Sequence, residues 1–264
     1  MADENTPQRV PVKPDNAEPA PDLYWSLLKM AARPLRRMHR IRVAGAGNLP
    51  ATGQGGAIVA ALHNGALDAV FIAIAASARG RAIRFVADED ICNAPVIGKM
   101  IRKAGCIPIA SFKGQGTNPD QIRKAMSEAA AVLRDGGVVG LFPEGIIHPF
   151  FKTRYAYQFK TGIIRLALES RAPIIPAWAR GAASVFPWLS NIPTPKGHVY
   201  AALPVWTPAR VAVHFGKPFV IPESITLESP HEEIREQSQR LQFAVDDLRN
   251  SHRRRYTPNY PDEY

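Results

Sequence analysis

From residue 57 onward the chain alternates short apolar runs with longer amphipathic stretches, and no other feature limits its possible folds so strongly. The runs AIVAAL (57–62), AIRFVAD (82–88), CIPIA (106–110), VVGLF (138–142), PIIPAW (173–178), VYAALPV (199–205) and RVAVHFG (210–216) have the length of buried strands. Between and after them, 66–78, 94–104, 119–135, 160–171 and 230–250 read as helices. The helix from 119 is the best marked, with Asn118 at the cap, Pro119 at the first position and Gly136 just past the end. Strand–helix–strand order predicts one α/β domain with a largely parallel mixed sheet flanked by helices. Neither a repeat nor a linker divides this region.

Ahead of it, 22–42 reads DLYWSLLKMAARPLRRMHRIR, with Leu23, Leu27, Met30, Ala31, Leu35, Met38 and Ile41 at helical spacing and Asp22 suited to cap the start. Pro34 removes an internal hydrogen bond, so two short helices are expected over 22–44 rather than one long one. Lys29, Arg33, Arg36, Arg37, Arg40 and Arg42 add six cations with no acid among them. A basic amphipathic pair of this kind is expected to rest on an anionic membrane surface. The plainer alternative is a solvated cationic face on a helix that packs against the body. Residues 1–21 are polar and Pro-rich, lack the apolar core of a secretory signal, and read as a disordered arm. Residues 253–264 read as an irregular tail.

Lys and Arg total 33 against 23 Asp and Glu, a net charge of +10 that favours anionic partners. Phospholipid head groups and phosphate-bearing substrates fit. Nucleic acid is not expected, because the aromatic and glycine signatures of RNA-binding modules are missing. Cys92 and Cys106, the two cysteines, have no metal-like clustering and read as inert thiols of a reducing compartment. No run of about 20 uninterrupted apolar residues is present, since 57–76 is broken by His63, Asn64 and Asp68. The expected location is peripheral, at the cytoplasmic face of a membrane.

Ligands of open α/β sheets collect at the carboxyl ends of the strands. Here AIVAAL is followed by His63 and, five residues on, Asp68; CIPIA by Ser111 and Lys113; VVGLF by Pro143, Glu144 and Gly145; and PIIP by Trp178. An imidazole takes a proton from an alcohol near neutral pH, and a carboxylate on its other nitrogen fixes the tautomer and stabilises the imidazolium. The spacing works with His63 at the strand exit, Asp68 in the first turn of the next helix and Gly65 easing the bend. The chain has no G-x-S-x-G elbow to supply a nucleophile, so the substrate is expected to bring its own. Lone His148 and His214 take structural roles by default, and Trp25 and Trp188 suit either core or lipid interface.

HNGALD, followed about 80 residues later by LFPEG, resembles the PlsC-like glycerolipid acyltransferase family, whose hallmarks are a His–four residues–Asp block and a Phe-Pro-Glu-Gly block. The likeness extends over roughly 40–220 through VAGAGNLP, GCIPIA and FKTGIIRLALESRAPIIPAW. It implies the glycerol-3-phosphate acyltransferase-like fold over 45–252 and transfer of a fatty acyl group from acyl-CoA or acyl carrier protein to a glycerolipid hydroxyl, lysophosphatidate first. By the resemblance His63 is the general base and Asp68 its orienting partner. Phe142, Pro143, Glu144 and Gly145 help bind the acceptor, and Pro173–Pro176 line the site. No metal or redox cofactor is implied. Ser111 stands where the family has a phosphate-holding arginine, with Lys113 two residues on. GIIH follows Glu144 where Gly-Thr-Arg is usual, and Arg154 and Lys160 are the candidate cations beyond it. A thioester hydrolase using the same pair on water, and an inactive binder of anionic lipid, are the alternatives.

Overall fold

The computed structural model describes residues 20–21, 23–110, 119–147, 158–194, 197–202 and 208–254. Its central strand, β2 (Ala57–Ala61), is buried at every position. Successive side chains of a strand face opposite ways, so β2 supplies two cores. Ala57, Val59 and Ala61 join one apolar layer, and Ile58 and Ala60 join the other.

Around β2 lie the other described elements: α1 (Tyr24–Met38), β1 (Arg40–Ala44), α2 (Asp68–Ala76), β3 (Ile83–Asp88), α3 (Glu89–Asn93), α4 (Ile97–Lys103), β4 (Ile107–Ile109), α5 (Pro119–Arg134), β5 (Val138–Leu141), α6 (Gly162–Ser170), β6 (Ile174–Arg180), α7 (Ala182–Val185), β7 (Trp188–Thr194), β8 (Gly197–Ala202), β9 (Arg210–Phe215) and α8 (His231–Arg254). Among the described residues the main sheet has seven strands in the order β1-β9-β6-β2-β5-β3-β4. The pairs β2–β5, β2–β6, β3–β5 and β3–β4 are parallel, whereas β9 runs against β6 and β1 follows β9. The layer with α1 and α2 covers one face, and α5, α6 and α8 cover the other. The expected single α/β domain with a mostly parallel sheet is what forms. Among the described residues no helix is long and apolar enough to cross a membrane.

Three local expectations are corrected. First, α1 is one helix with Pro34 inside it. Barely a turn follows the proline, and Leu35 in that turn is buried in the core, so the lost hydrogen bond is tolerated. The chain then leaves the helix at His39 in extended geometry, and Arg40 and Arg42 stand on edge strand β1 instead of a second helix. Second, the described part of the run at 199–205, residues 199–202, belongs to β8, which pairs with β7 in an antiparallel ribbon separate from the main sheet. Third, α8 continues to Arg254, past the expected end at 250 and into the segment expected to be irregular from 253. The cysteines, read as inert thiols, are free and in contact, Sγ to Sγ at 3.7 Å. That contact lowers the Cys92 thiol's pKa, and the contact together with burial raises that of Cys106. The caps Asp22 and Asn118, the arm before residue 20 and the tail beyond 254 lie outside the described residues.

Candidate active site

The sheet's register brings the two sequence blocks together. Ala60 of β2 is paired with Leu141 of β5. Three residues beyond each, at the carboxyl rim, stand His63 and Glu144. The His63 backbone N–H donates to Glu144 Oε2 at 3.1 Å. Glu144 is buried, and the Gly145 N–H closes its turn on the Phe142 carbonyl at 2.9 Å.

Asp68 opens α2, as expected. Its Oδ2 lies 3.3 Å from His63 Nδ1 and accepts the backbone N–H groups of Asn64 and Gly65 at 2.7 Å each. The carboxylate thus folds the loop back on itself and orients the ring. A negative charge at a helix start is also favoured by the helix dipole. Burial nevertheless pushes the Asp68 carboxyl's pKa up, against the lowering effect of His63 and the two amides. The imidazole stays accessible, with 21% of its side chain exposed. Its flat face stacks on Phe142, ring centres 4.0 Å apart and planes 14° from parallel. Phe142 stacks in turn on Phe85 of β3 at 5.6 Å. Gly140, register partner of Phe85, leaves the room this requires, because a Cβ there would lie 2.4 Å from the Phe85 ring.

Gly65 serves a different purpose from the one expected. Its φ is not positive; a Cβ there would meet the backbone of Ala183 in α7 at 2.8 Å. The glycine lets α7 pack against the histidine loop.

Of the remaining sequence candidates, Lys160 reaches the site. Its N–H donates to the Pro143 carbonyl at 2.9 Å, and its ammonium lies against Gly145, where a Cβ would stand 2.6 Å from Nζ. Partial desolvation lowers that ammonium's pKa. Ser111, Lys113, Arg154 and His148 lie outside the described residues. Of Pro173–Pro176, the Pro173 carbonyl accepts the Ile58 N–H at the amino half of the sheet, five residues before His63, and Pro176 is the register partner of Ala60, three residues before it. Trp178, expected at the rim, is buried inside β6 and stacks on His214 at 6.0 Å. Side chains around Trp188 lie outside the described ones, and Trp25 is in the core. Among the described residues no group of three or more His, Cys, Asp or Glu is arranged to hold a metal ion.

Residues on α8 reach the same loop. Ser238, fully buried, directs its hydroxyl at the Phe159 and Lys160 carbonyls, 3.1 Å from each, and Gln242 Oε1 accepts the Phe159 N–H at 3.1 Å. The signal for them was present but faint, a polar interruption of the apolar stripe Ile234, Leu241 and Val245.

The profile of the acyltransferase family matches residues 40–180, more than half of the 264. The chain belongs to that family. The match takes in both blocks and ends before α8. An uncharacterised protein of Mycobacterium leprae is 29% identical over 162 residues, and one of Mycobacterium tuberculosis is 29% identical over 174. These alignments cover 58% and 61% of this chain but only 40% and 44% of those proteins. A 1-acyl-sn-glycerol-3-phosphate acyltransferase of Bacillus subtilis is 24% identical over 144 residues, 54% of this chain and 64% of the relative. The crystal structure of the LPA acyltransferase PlsC from Thermotoga maritima superposes with a TM-score of 0.58 at 20% identity, over 89% of this chain and 80% of that one. That likeness is one of fold.

Proposed function

We propose that this protein moves a fatty acyl group from a thioester carrier, acyl-CoA or acyl carrier protein, to the hydroxyl of a lysophospholipid, with lysophosphatidate the first choice. The reading rests on one observation in an acyltransferase-family chain: His63 is oriented by Asp68 through Nδ1 while its backbone is tied to Glu144 of the second block. With Nδ1–H donated to Asp68, Nε2 carries the lone pair. It takes the alcohol proton as the alcohol oxygen attacks the thioester carbonyl. The C–S bond then breaks, and the imidazolium returns the proton to the departing thiolate. Asp68 stabilises the imidazolium in between. Lys160, with Ser111, Lys113 and Arg154, is assigned to the acceptor's phosphate. An ammonium is a point charge without the forked geometry of arginine, so tolerance of several phosphate-bearing head groups is expected. The exposed cations of α1 are assigned to an anionic membrane surface on the cytoplasmic side.

The test is incubation of the purified protein with labelled acyl-CoA and a panel of lysophospholipids, followed by identification of the product. Acyl transfer dependent on acceptor is expected, and His63→Ala is expected to lower it by about 10²–10⁴-fold, the usual worth of a general base. Thioester consumption at the same rate without any acceptor would identify a hydrolase instead. Retention of activity by His63→Ala would end the assignment.

A further inference from the structure

The residues that hold the Glu144 loop in place extend well outside the acyltransferase match. Starting at α8, Ser238 and Gln242 between them hold the N–H and carbonyl of Phe159 and the carbonyl of Lys160. Lys160 passes this on through its own N–H to the Pro143 carbonyl. Its ammonium also backs Gly145, where no side chain fits. Glu144, between those two residues, accepts the His63 N–H. Three hydrogen bonds in series therefore join a buried serine on the last helix to the proposed base. Asp246, one turn beyond Gln242, is close enough to Glu144 for that charge to add to the burial that raises its own carboxyl, and Arg249 pairs with it at 3.0 Å.

We infer that Ser238 and Gln242 are positioning residues for the transfer reaction, holding the Phe159–Lys160 strap so that Glu144 and His63 keep their register. This rests on the acyltransferase reading above. Ser238 is fully buried and the step from Lys160 to Pro143 is backbone to backbone, so slack introduced at Ser238 passes along the strap toward the Pro143–Gly145 turn. A misplacement of about an ångström at a reacting group costs as much as ~10²-fold in rate, so a tenfold loss from a distant hydroxyl is in proportion.

Two readouts test it. Hydrogen–deuterium exchange on the full chain follows the peptides covering 62–66 and 141–147. Ser238→Ala and Gln242→Met are expected to raise exchange there by about threefold or more, while Gln242→Glu, which keeps an acceptor for the Phe159 N–H, stays at the wild-type rate. In acyl transfer, Ser238→Ala is expected to lower kcat about tenfold with little change in KM for acyl-CoA, and to cost nothing further once Glu144→Gln is present, because both act through one loop. Unchanged exchange at 141–147 in both Ser238→Ala and Gln242→Met would overturn the inference, as would losses that multiply in the double variant. Should the wild-type protein transfer acyl groups to no acceptor, the reading of the reaction falls, and the exchange measurement still decides the relay.

Discussion

Asp68 is held under opposing pressures. Its Oδ2 collects the His63 ring and two backbone amides, while Oδ1 is buried with no hydrogen-bond partner among the described residues. Burial wins, and the folded-state pKa lies above that of a free carboxyl. An acid raised in this way stabilises the fold fully below its unfolded pKa, and that contribution is lost as pH climbs through the folded value. Once ionised, the carboxylate therefore weakens the fold, and under the proposed mechanism its use is catalysis. Asp68→Asn keeps an oxygen for the two amides and removes the charge. It is expected to raise the thermal midpoint at pH 7 above that of the wild type and to show no gain near pH 3. Transfer should fall by about 10²-fold or more because the imidazolium loses its counter-charge. Thermal melts across pH, paired with rate measurements, check both halves; a destabilised variant at pH 7 would contradict the sign. At Gly65 the constraint is steric. Gly65→Ala pushes a methyl into the Ala183 backbone and is expected to cost about 1–3 kcal/mol in denaturant melts.

Helix α1 shows how an amphipathic pattern can be spent. Tyr24, Trp25, Leu28, Ala32 and Leu35 are buried in the core layer it shares with α2, and the Tyr24 hydroxyl accepts the Ile83 N–H at 2.9 Å. The apolar stripe belongs to the fold, so the proposed attraction to a membrane falls to the outer face, where Lys29, Arg33 and Arg37 are exposed beside Met30 at 55% and Met38 at 39%. Each basic residue near an anionic surface is worth about 1 kcal/mol. Lys29→Glu, Arg33→Glu and Arg37→Glu together are expected to reduce co-sedimentation with phosphatidylglycerol vesicles by ~10²-fold, leaving the melting curve nearly unchanged. Equal binding by the charge-reversed protein would assign membrane contact elsewhere. Reversal is the better test than deleting 1–42, which would strip Tyr24 and Leu35 out of the core and β1 from β9. The same helix marks where sequence reading stops. Asp68 at the start of α2 was legible because a helix start is a local property, but periodicity picked the wrong face of α1. Of Leu23, Leu27, Met30, Ala31, Leu35 and Met38 only Leu35 is buried, and Tyr24, Trp25, Leu28 and Ala32 are buried with it. Whether Pro34 broke the helix depended on Leu35 finding a core, which is a tertiary matter. The sequence placed His63 and Glu144 at strand exits, yet only the order β6-β2-β5 makes those exits neighbours, and strand order is not written in either strand. Ser238 and Gln242 left only a faint polar break in the stripe of α8, and their partners could not be read for the same reason: these lie about 80 residues away in sequence.

At the scale of the whole molecule the sheet has a working end and a holding end. His63, Glu144 and Phe142 stand past the carboxyl ends of β2 and β5. Before the amino ends of β2, β3 and β5 lies Arg81, the largest of the fully buried side chains. Its guanidinium donates to the carbonyls of Ala51 at 2.8 Å, Gly55 at 3.0 Å and Gly136 at 2.6 Å. Those carbonyls belong to loops entering two neighbouring strands, and Arg81 itself leads into a third. A planar fork with five donors can tie three loops at once, which lysine cannot. Arg81→Met fills much of the same volume but leaves three carbonyls without their donor. Stranding buried polar partners costs about 1–3 kcal/mol apiece at most sites, and with water reaching some of these loops a total near 3 kcal/mol is reasonable. That corresponds to a fall of about 6–12 °C in thermal midpoint. The carbonyls that Arg81 holds lie before the strands, at the opposite end from His63 and Glu144. The transfer rate per folded molecule, measured well below the new midpoint, is therefore expected to stay within about twofold of wild type. A variant that melts normally would show the loops to be held by other contacts. One that melts early and also loses kcat while still folded would show the holding end and the working end to be coupled through the sheet.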